Sequence, residues 1–182
     1  MKRITSIALT ILAVSAGAFA QTSDIDKALM AAPAQLKAAA TVIKWKADFT
    51  YDTLRKGTNK IVCYDKSGMP TVRDPFMAEC TNLTNLDRVA QNLKFEAIAD
   101  AAARKAAFDK AEADGTRAKP EFGSVWYHAM GTDAEHITRT HLTIAVPGAT
   151  GKSLGIPESG AAGDIWVMNA GTTTAHIMTP GE

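Results

Sequence analysis

The chain has 182 residues, of which 46% are apolar, with 20 Lys plus Arg against 19 Asp plus Glu. That is enough for one domain with a sizeable core. The near-neutral balance gives none of the basic surface that a nucleic-acid or anionic-membrane partner requires.

The first twenty residues carry Lys2 and Arg3, an uncharged, mostly apolar run from Ile4 to Val14, and the small-residue ending Ala18-Phe19-Ala20. This order predicts a signal peptide over residues 1–20, cleavage near Ala20 and a periplasmic or secreted product of residues 21–182. Loss of Lys2 and Arg3 leaves 18 basic against 19 acidic residues, a net charge of −1. The apolar run is shorter than the ~20 residues that cross a bilayer, and no later segment reaches that length, so no membrane span is expected. No Cys follows Ala20 to carry a lipid anchor.

Residues 24–40 are rich in Ala, Leu and Lys, with Ser23 or Asp24 to cap a helix and Pro33 to interrupt it. Thr41-Val-Ile-Lys-Trp45 and Phe49-Thr-Tyr-Asp-Thr-Leu54 have the β-branched and aromatic character of strands. The turn residues Lys56-Gly57-Thr58-Asn59 then predict that Lys60-Ile-Val-Cys-Tyr64 folds back as the next strand. Cys63 and Cys80, the only cysteines, predict a disulfide in an oxidising compartment, worth about 3 kcal/mol in the chain-entropy model. It closes an irregular loop, Asp65 to Pro75.

Thr84 and Asp87 suggest a weak capping box. From there Leu86, Val89, Ala90, Leu93, Ala97, Ala101 and Phe108 recur at helical spacing up to Gly115, predicting one long helix or two separated by a bend. Its charged residues read as a solvated outer face. Four further strands are expected at Ser124–Met130, Thr140–Val146, Asp164–Met168 and Thr174–Met178. Seven strands with few crossover helices predict an α+β fold: an antiparallel sheet, an N-terminal helix, one long amphipathic helix and one disulfide.

Three patterns bear on chemistry. Gly151-Lys152-Ser153 is a partial phosphate loop, but its first glycine position holds Val146 and the Gly- and Pro-containing connection that follows is not expected to begin a helix. The same residues read as Gly151-x-Ser153-x-Gly155, with Asp164 and His176 in the chain order of a hydrolase triad. A nucleophile elbow also needs a helix after the serine, so a glycine-rich surface loop is the simpler account.

The four histidines, His128, His136, His141 and His176, all lie in the last third. His141, His176 and His128 are the candidate ligands should zinc or copper be held, although no cofactor is predicted. His128 can meet His136 across a hairpin in one register only, and His141 can neighbour His176 if their strands pair. Trp126, Tyr127 and Trp166 with several methionines have the spacing of core strands. Together with His141 and His176 they also define a candidate ligand pocket.

Leu54-Arg-Lys-Gly-Thr-Asn59 leading into Cys63, and Asp74-Pro75 before Cys80, resemble a family of uncharacterised secreted bacterial proteins. His141-Leu-Thr-Ile-Ala-Val-Pro-Gly148, Gly155-Ile-Pro157 and Gly171 through Ala175-His176 resemble it as well. The resemblance implies a fold and a location but no activity, and it singles out His141 and His176 over His128 and His136. Relatives have Asn-Ala-Asp-Ile-Gly where this chain has residues 151–155, which weakens Ser153 as a nucleophile. The expected function is therefore a non-enzymatic small-molecule or envelope binding module. The alternatives are a secreted metal-dependent enzyme using histidine ligands and a serine hydrolase.

Overall fold

The computed structural model describes residues 23–179. The expected signal peptide and its cleavage position lie outside the described residues. Eight strands form one sheet: β1 (Thr41–Trp45), β2 (Tyr51–Arg55), β3 (Ile61–Asp65), β4 (Phe76–Asn82), β5 (Val125–Gly131), β6 (Ile137–Ala145), β7 (Trp166–Met168) and β8 (His176–Met178). Their order is β2-β1-β3-β4-β5-β6-β8-β7, and every pairing is antiparallel except β1 with β3.

The expected fold-back of β3 onto β2 does not occur. Residues 56–60 cross the start of β1 instead, so that β2 and β3 flank β1 on opposite sides. Arg55 donates to the carbonyls of Lys37 and Ala40, the amides of Thr58 and Asn59 donate to Ala39, and the Asn59 side chain bridges the Leu36 carbonyl and the Ile61 amide. Gly57 lies so close to this backbone that an added Cβ would stand 2.3 Å from the Ala39 carbonyl oxygen. The Arg-Lys-Gly-Thr-Asn motif is thus a structural clasp.

β4 is an eighth strand, formed by residues that follow the expected loop Asp65–Pro75 and that the sequence leaves unassigned. Cys63 and Cys80 are direct register partners on β3 and β4 with Cα atoms 4.0 Å apart, and the disulfide forms there. Period-2 alternation then sends the two faces of the sheet to different layers. Cys63, Ala78, Cys80 and Ala129 pack against Ala28, Leu29 and Ala31 of the N-terminal helical segment, which comprises α1 (residues 23–28) and the turn Leu29–Ala31, and against Ala32 that follows it. A short helix, α2 (Ala34–Lys37), follows Pro33.

On the other face Ile43, Trp45, Val62 and Tyr64 pack against Val89 and Leu93 of α3 (Leu86–Glu96). The helical stretch is divided: α4 (Ala101–Ala113) starts afresh where the Asp100 carboxylate accepts from the Ala103 amide at 2.7 Å. The Thr84 capping box does not form, because Thr84 lies within the turn Leu83–Asn85 and Asn85 takes the N-cap position of α3; the Thr84 hydroxyl donates to Glu121 at 2.6 Å. Nor is the charged face of α3 wholly solvated, since Arg88 is buried and Glu96 half-buried. Arg117 ties the two helices together, lying over the rings of Phe95 and Phe108 and donating to Gln91 and Asn92. Among the described residues no helix is long and apolar enough to cross a membrane.

Candidate functional site

Register builds the site. Tyr64 pairs with Glu79, Glu79 with His128, and His128 with His141, so four polar side chains form one row across β3, β4, β5 and β6. Paired residues share a face, and this is the face that carries α3. His176 on β8 pairs with Ala145, four residues along β6 from His141, and so joins the same face. Opposite the strands stand Arg88, Asn92 and Glu96, spaced four apart on one stripe of α3. Between helix and strands lies a pocket of about 330 Å³. Trp126, Met168 and Met178 supply its apolar wall.

The β3–β4 end is acidic, its carboxylates paired with Lys66, while the buried Glu96 Oε2 and His128 Nδ1 make no aligned hydrogen bond among the described residues. Glu79 is 5% exposed. The Tyr64 hydroxyl donates to its Oε2 at 2.7 Å, while Lys66 Nζ and His128 Nδ1 stand 3.4 and 3.3 Å from Oε1. Lys66 also reaches Glu96 at 3.2 Å. Burial opposes ionisation of Glu79, but Lys66, His128 and Tyr64 outweigh it and hold the carboxyl well below its ordinary range. Burial likewise opposes the Lys66 ammonium, and Glu79 and Glu96 overcome it, raising its pKa. Burial and the Glu79 charge push the Tyr64 hydroxyl well up.

The opposite end is basic. Arg88, 4% exposed, donates to the Ala118 carbonyl at 2.7 Å and to the hydroxyls of Thr173 and Thr174 at 3.2 and 2.6 Å. Desolvation lowers its pKa to about 10, against a smaller opposing effect of Glu112. The loop between β7 and β8 is held from two sides, because Thr173 also donates to Glu112 at 2.7 Å. His176 Nδ1 lies 2.7 Å from the Thr174 carbonyl, which assigns the proton to Nδ1 and leaves Nε2 as an acceptor. His141 stacks on His128 with ring centroids 5.8 Å apart, and its buried Nε2 has no hydrogen-bond partner. Burial first, then neighbouring basic groups, lower the pKa of His141; burial and the same kind of neighbours lower that of His176 despite the Thr174 carbonyl.

Of the expected pocket residues, Trp126, His141 and His176 converge, joined by His128. Tyr127 does not, because its odd position on β5 turns it to the opposite face against the disulfide layer. Trp166 also stands outside the lining: it lies on the edge strand with its indole against Gly160. His128 and His136 do not meet. His136 is exposed beside Asp133, at 2.8 Å. Among the described residues no group of three or more His, Cys, Asp or Glu side chains is placed to hold a metal ion.

A single helical turn, α5 (Gly151–Leu154), does form where no helix was expected. Thr150 and Ser153 create it through a reciprocal capping box that occupies the Ser153 hydroxyl. The Gly151 amide is taken by the Glu158 carboxylate at 2.7 Å, a negative charge where a phosphate would have to bind.

The sequence reading missed Glu79, Lys66 and Arg88. Within Phe76-Met-Ala-Glu-Cys-Thr-Asn82, the alternation of Ala78 and Cys80 with Glu79 and Thr81 marked a strand whose polar face opposes the cysteines. Arg88 carries no comparable signal, since its neighbour Val89 is the residue that marks the apolar stripe.

No family model, curated protein or solved structure matches the chain.

Proposed function

We infer that this is an exported binding module that takes a small molecule into the pocket between α3 and strands β4, β5, β6 and β8. The observation that carries this reading is the pocket itself. At about 330 Å³ it is the size of a small-molecule site, and it combines an apolar wall with convergent, pre-oriented polar groups. Export is supported by the charge and hydropathy order of residues 1–20 and by the Cys63–Cys80 bridge, which suits an oxidising compartment. A fragment screen read by backbone amide shifts tests it. Hits are expected to perturb β5, β6 and β8 together. If no fragment binds, or the shifts gather on another surface, the reading fails.

The Glu79–His128 pair favours a second reading. A buried carboxylate stands 3.3 Å from His128 Nδ1 without an aligned hydrogen bond, and a ligand that tightened this contact would hold the proton on Nδ1 and free Nε2 as an acceptor, the arrangement of a general base. It requires turnover of an ester or amide placed in the pocket, abolished in His128→Gln while ligand binding persists. Binding without turnover across such substrates leaves the first reading standing.

A further inference from the structure

We propose that the end of the pocket bounded by Arg88, His141 and His176 is an anion site, which takes the carboxylate of a small ligand whose apolar body lies against Trp126, Met168 and Met178. The proposal rests on the binding-module reading and adds the charge and orientation of the ligand.

Arg88 is the first support. A buried guanidinium is ordinarily compensated by a carboxylate. Its three hydrogen-bond acceptors among the described residues are a carbonyl and two hydroxyls, all neutral. Three donated bonds leave two of the five guanidinium N–H groups without a partner there. Glu112 acts on Arg88 from α4, but its oxygens bond Thr173.

The two histidines are the second. The charged groups acting most strongly on His141 are His128, His176 and Arg139, and those on His176 are His128 and Arg88. All are basic. The acidic side chains lining the pocket, Glu79 and Glu96, are engaged by Lys66 at the far end. The buried, unpartnered Nε2 of His141 is a donor in waiting: protonated, it needs an acceptor that no described residue provides.

An anion fits this end on both counts. It supplies the missing countercharge to Arg88 and lets His141 and His176 protonate, so binding and proton uptake are linked. Both histidines titrate below the ordinary imidazole range in the free protein and are raised by the bound anion, so carboxylate affinity rises as pH falls toward that lowered range. Glu79 stays ionised throughout that range and Lys66 stays charged, so neither of these two groups contributes to the change.

Three ligands of one shape decide the matter: benzoate, benzamide and benzamidine, titrated into the full chain with its disulfide formed, at constant ionic strength. Benzoate, ionised at both pH values, is expected to bind best. Its affinity should rise at least about tenfold between about pH 7.5 and 5.5, with proton uptake measured by calorimetry in two buffers. His176→Gln and His141→Gln should each remove part of that rise, and the double variant most of it. If either variant fails to fold, the order of the three ligands on the wild-type chain still decides. Benzamide or benzamidine binding as tightly as benzoate overturns the anion site and leaves the pocket reading intact. No binding by benzoate up to about 10 mM also overturns it. The pocket reading falls too only if the fragment screen is barren or its shifts gather on another surface.

Discussion

Glu79→Gln isolates the buried charge beneath the pocket. The substitution keeps shape and an acceptor for Tyr64, so the loss is electrostatic: one of the two carboxylates on Lys66, the charge on the 2.7 Å bond from Tyr64, and the carboxylate beside the His128 imidazole. Breaking a buried pair by removing one partner costs about 3–5 kcal/mol when the survivor is left alone. Lys66 retains Glu96, so the expected cost is about 2–3 kcal/mol at neutral pH. Lys66→Met must cost more, about 3–5 kcal/mol, because it removes the ammonium shared by the buried Glu79 and the half-buried Glu96. The pH dependence has a definite sign. The folded-state pKa of Glu79 is depressed, so its contribution is complete above the unfolded value near 4.3 and is lost as pH falls toward the folded one. Urea unfolding at about pH 7 and pH 3, compared through the midpoint at constant m-value, measures both effects. A Glu79→Gln cost below about 1 kcal/mol, a Lys66→Met cost smaller than it, or a wild-type advantage that grows on acidification would refute this account of the buried charges.

Three further outcomes follow from the fold. The double variant Cys63→Ser/Cys80→Ser should lose about 3 kcal/mol while keeping its far-ultraviolet circular dichroism, since β3 and β4 retain their ladder; loss of the strand signal would show that the bridge sets the register. Gly57→Ala places a Cβ against three backbone atoms of Ala39–Thr41, none of which can rotate away, and should cost about 3 kcal/mol or more by thermal unfolding. A neutral result there would mean that the crossover over β1 is wrongly placed. Ser153→Ala should cost only about 1 kcal/mol, as a lost cap, and the wild-type serine should resist a fluorophosphonate; covalent labelling of Ser153 would restore the hydrolase alternative.

Seven of the eight strands were legible because β-branched and aromatic runs stand between Gly and Pro connections. β4 was not: between Pro75 and Thr84 it sets Met77, Glu79 and Thr81 against Phe76, Ala78 and Cys80, and the polar Glu79 and Thr81 are buried like the second set, so the alternation lacks the apolar-in, polar-out contrast of a half-buried strand. Order in the sheet was less legible still. The run Lys56–Asn59 has the composition of a hairpin turn, and what defeats the hairpin is the long-range clasp of Arg55, Gly57 and Asn59 on Ala39–Thr41, invisible to local pattern.

The missed strand explains the half-seen site. With β4 absent, β3 and β5 had no common neighbour, and nothing placed Tyr64, Glu79, His128 and His141 in one row. The histidines could be counted but not brought together. Once β4 is inserted, pairing alone assembles the row, and the disulfide marks the other face. Arg88 enters by a different route. On a helix whose apolar stripe seats over β1 and β3, the residues at 88, 92 and 96 fall toward β4 and β5, where a charge is buried because the sheet continues beyond the helix. Hydrophobic periodicity reports where a helix is pressed down. It is silent about the flank that overhangs a neighbouring strand, and that flank is where the pocket and its buried cation lie.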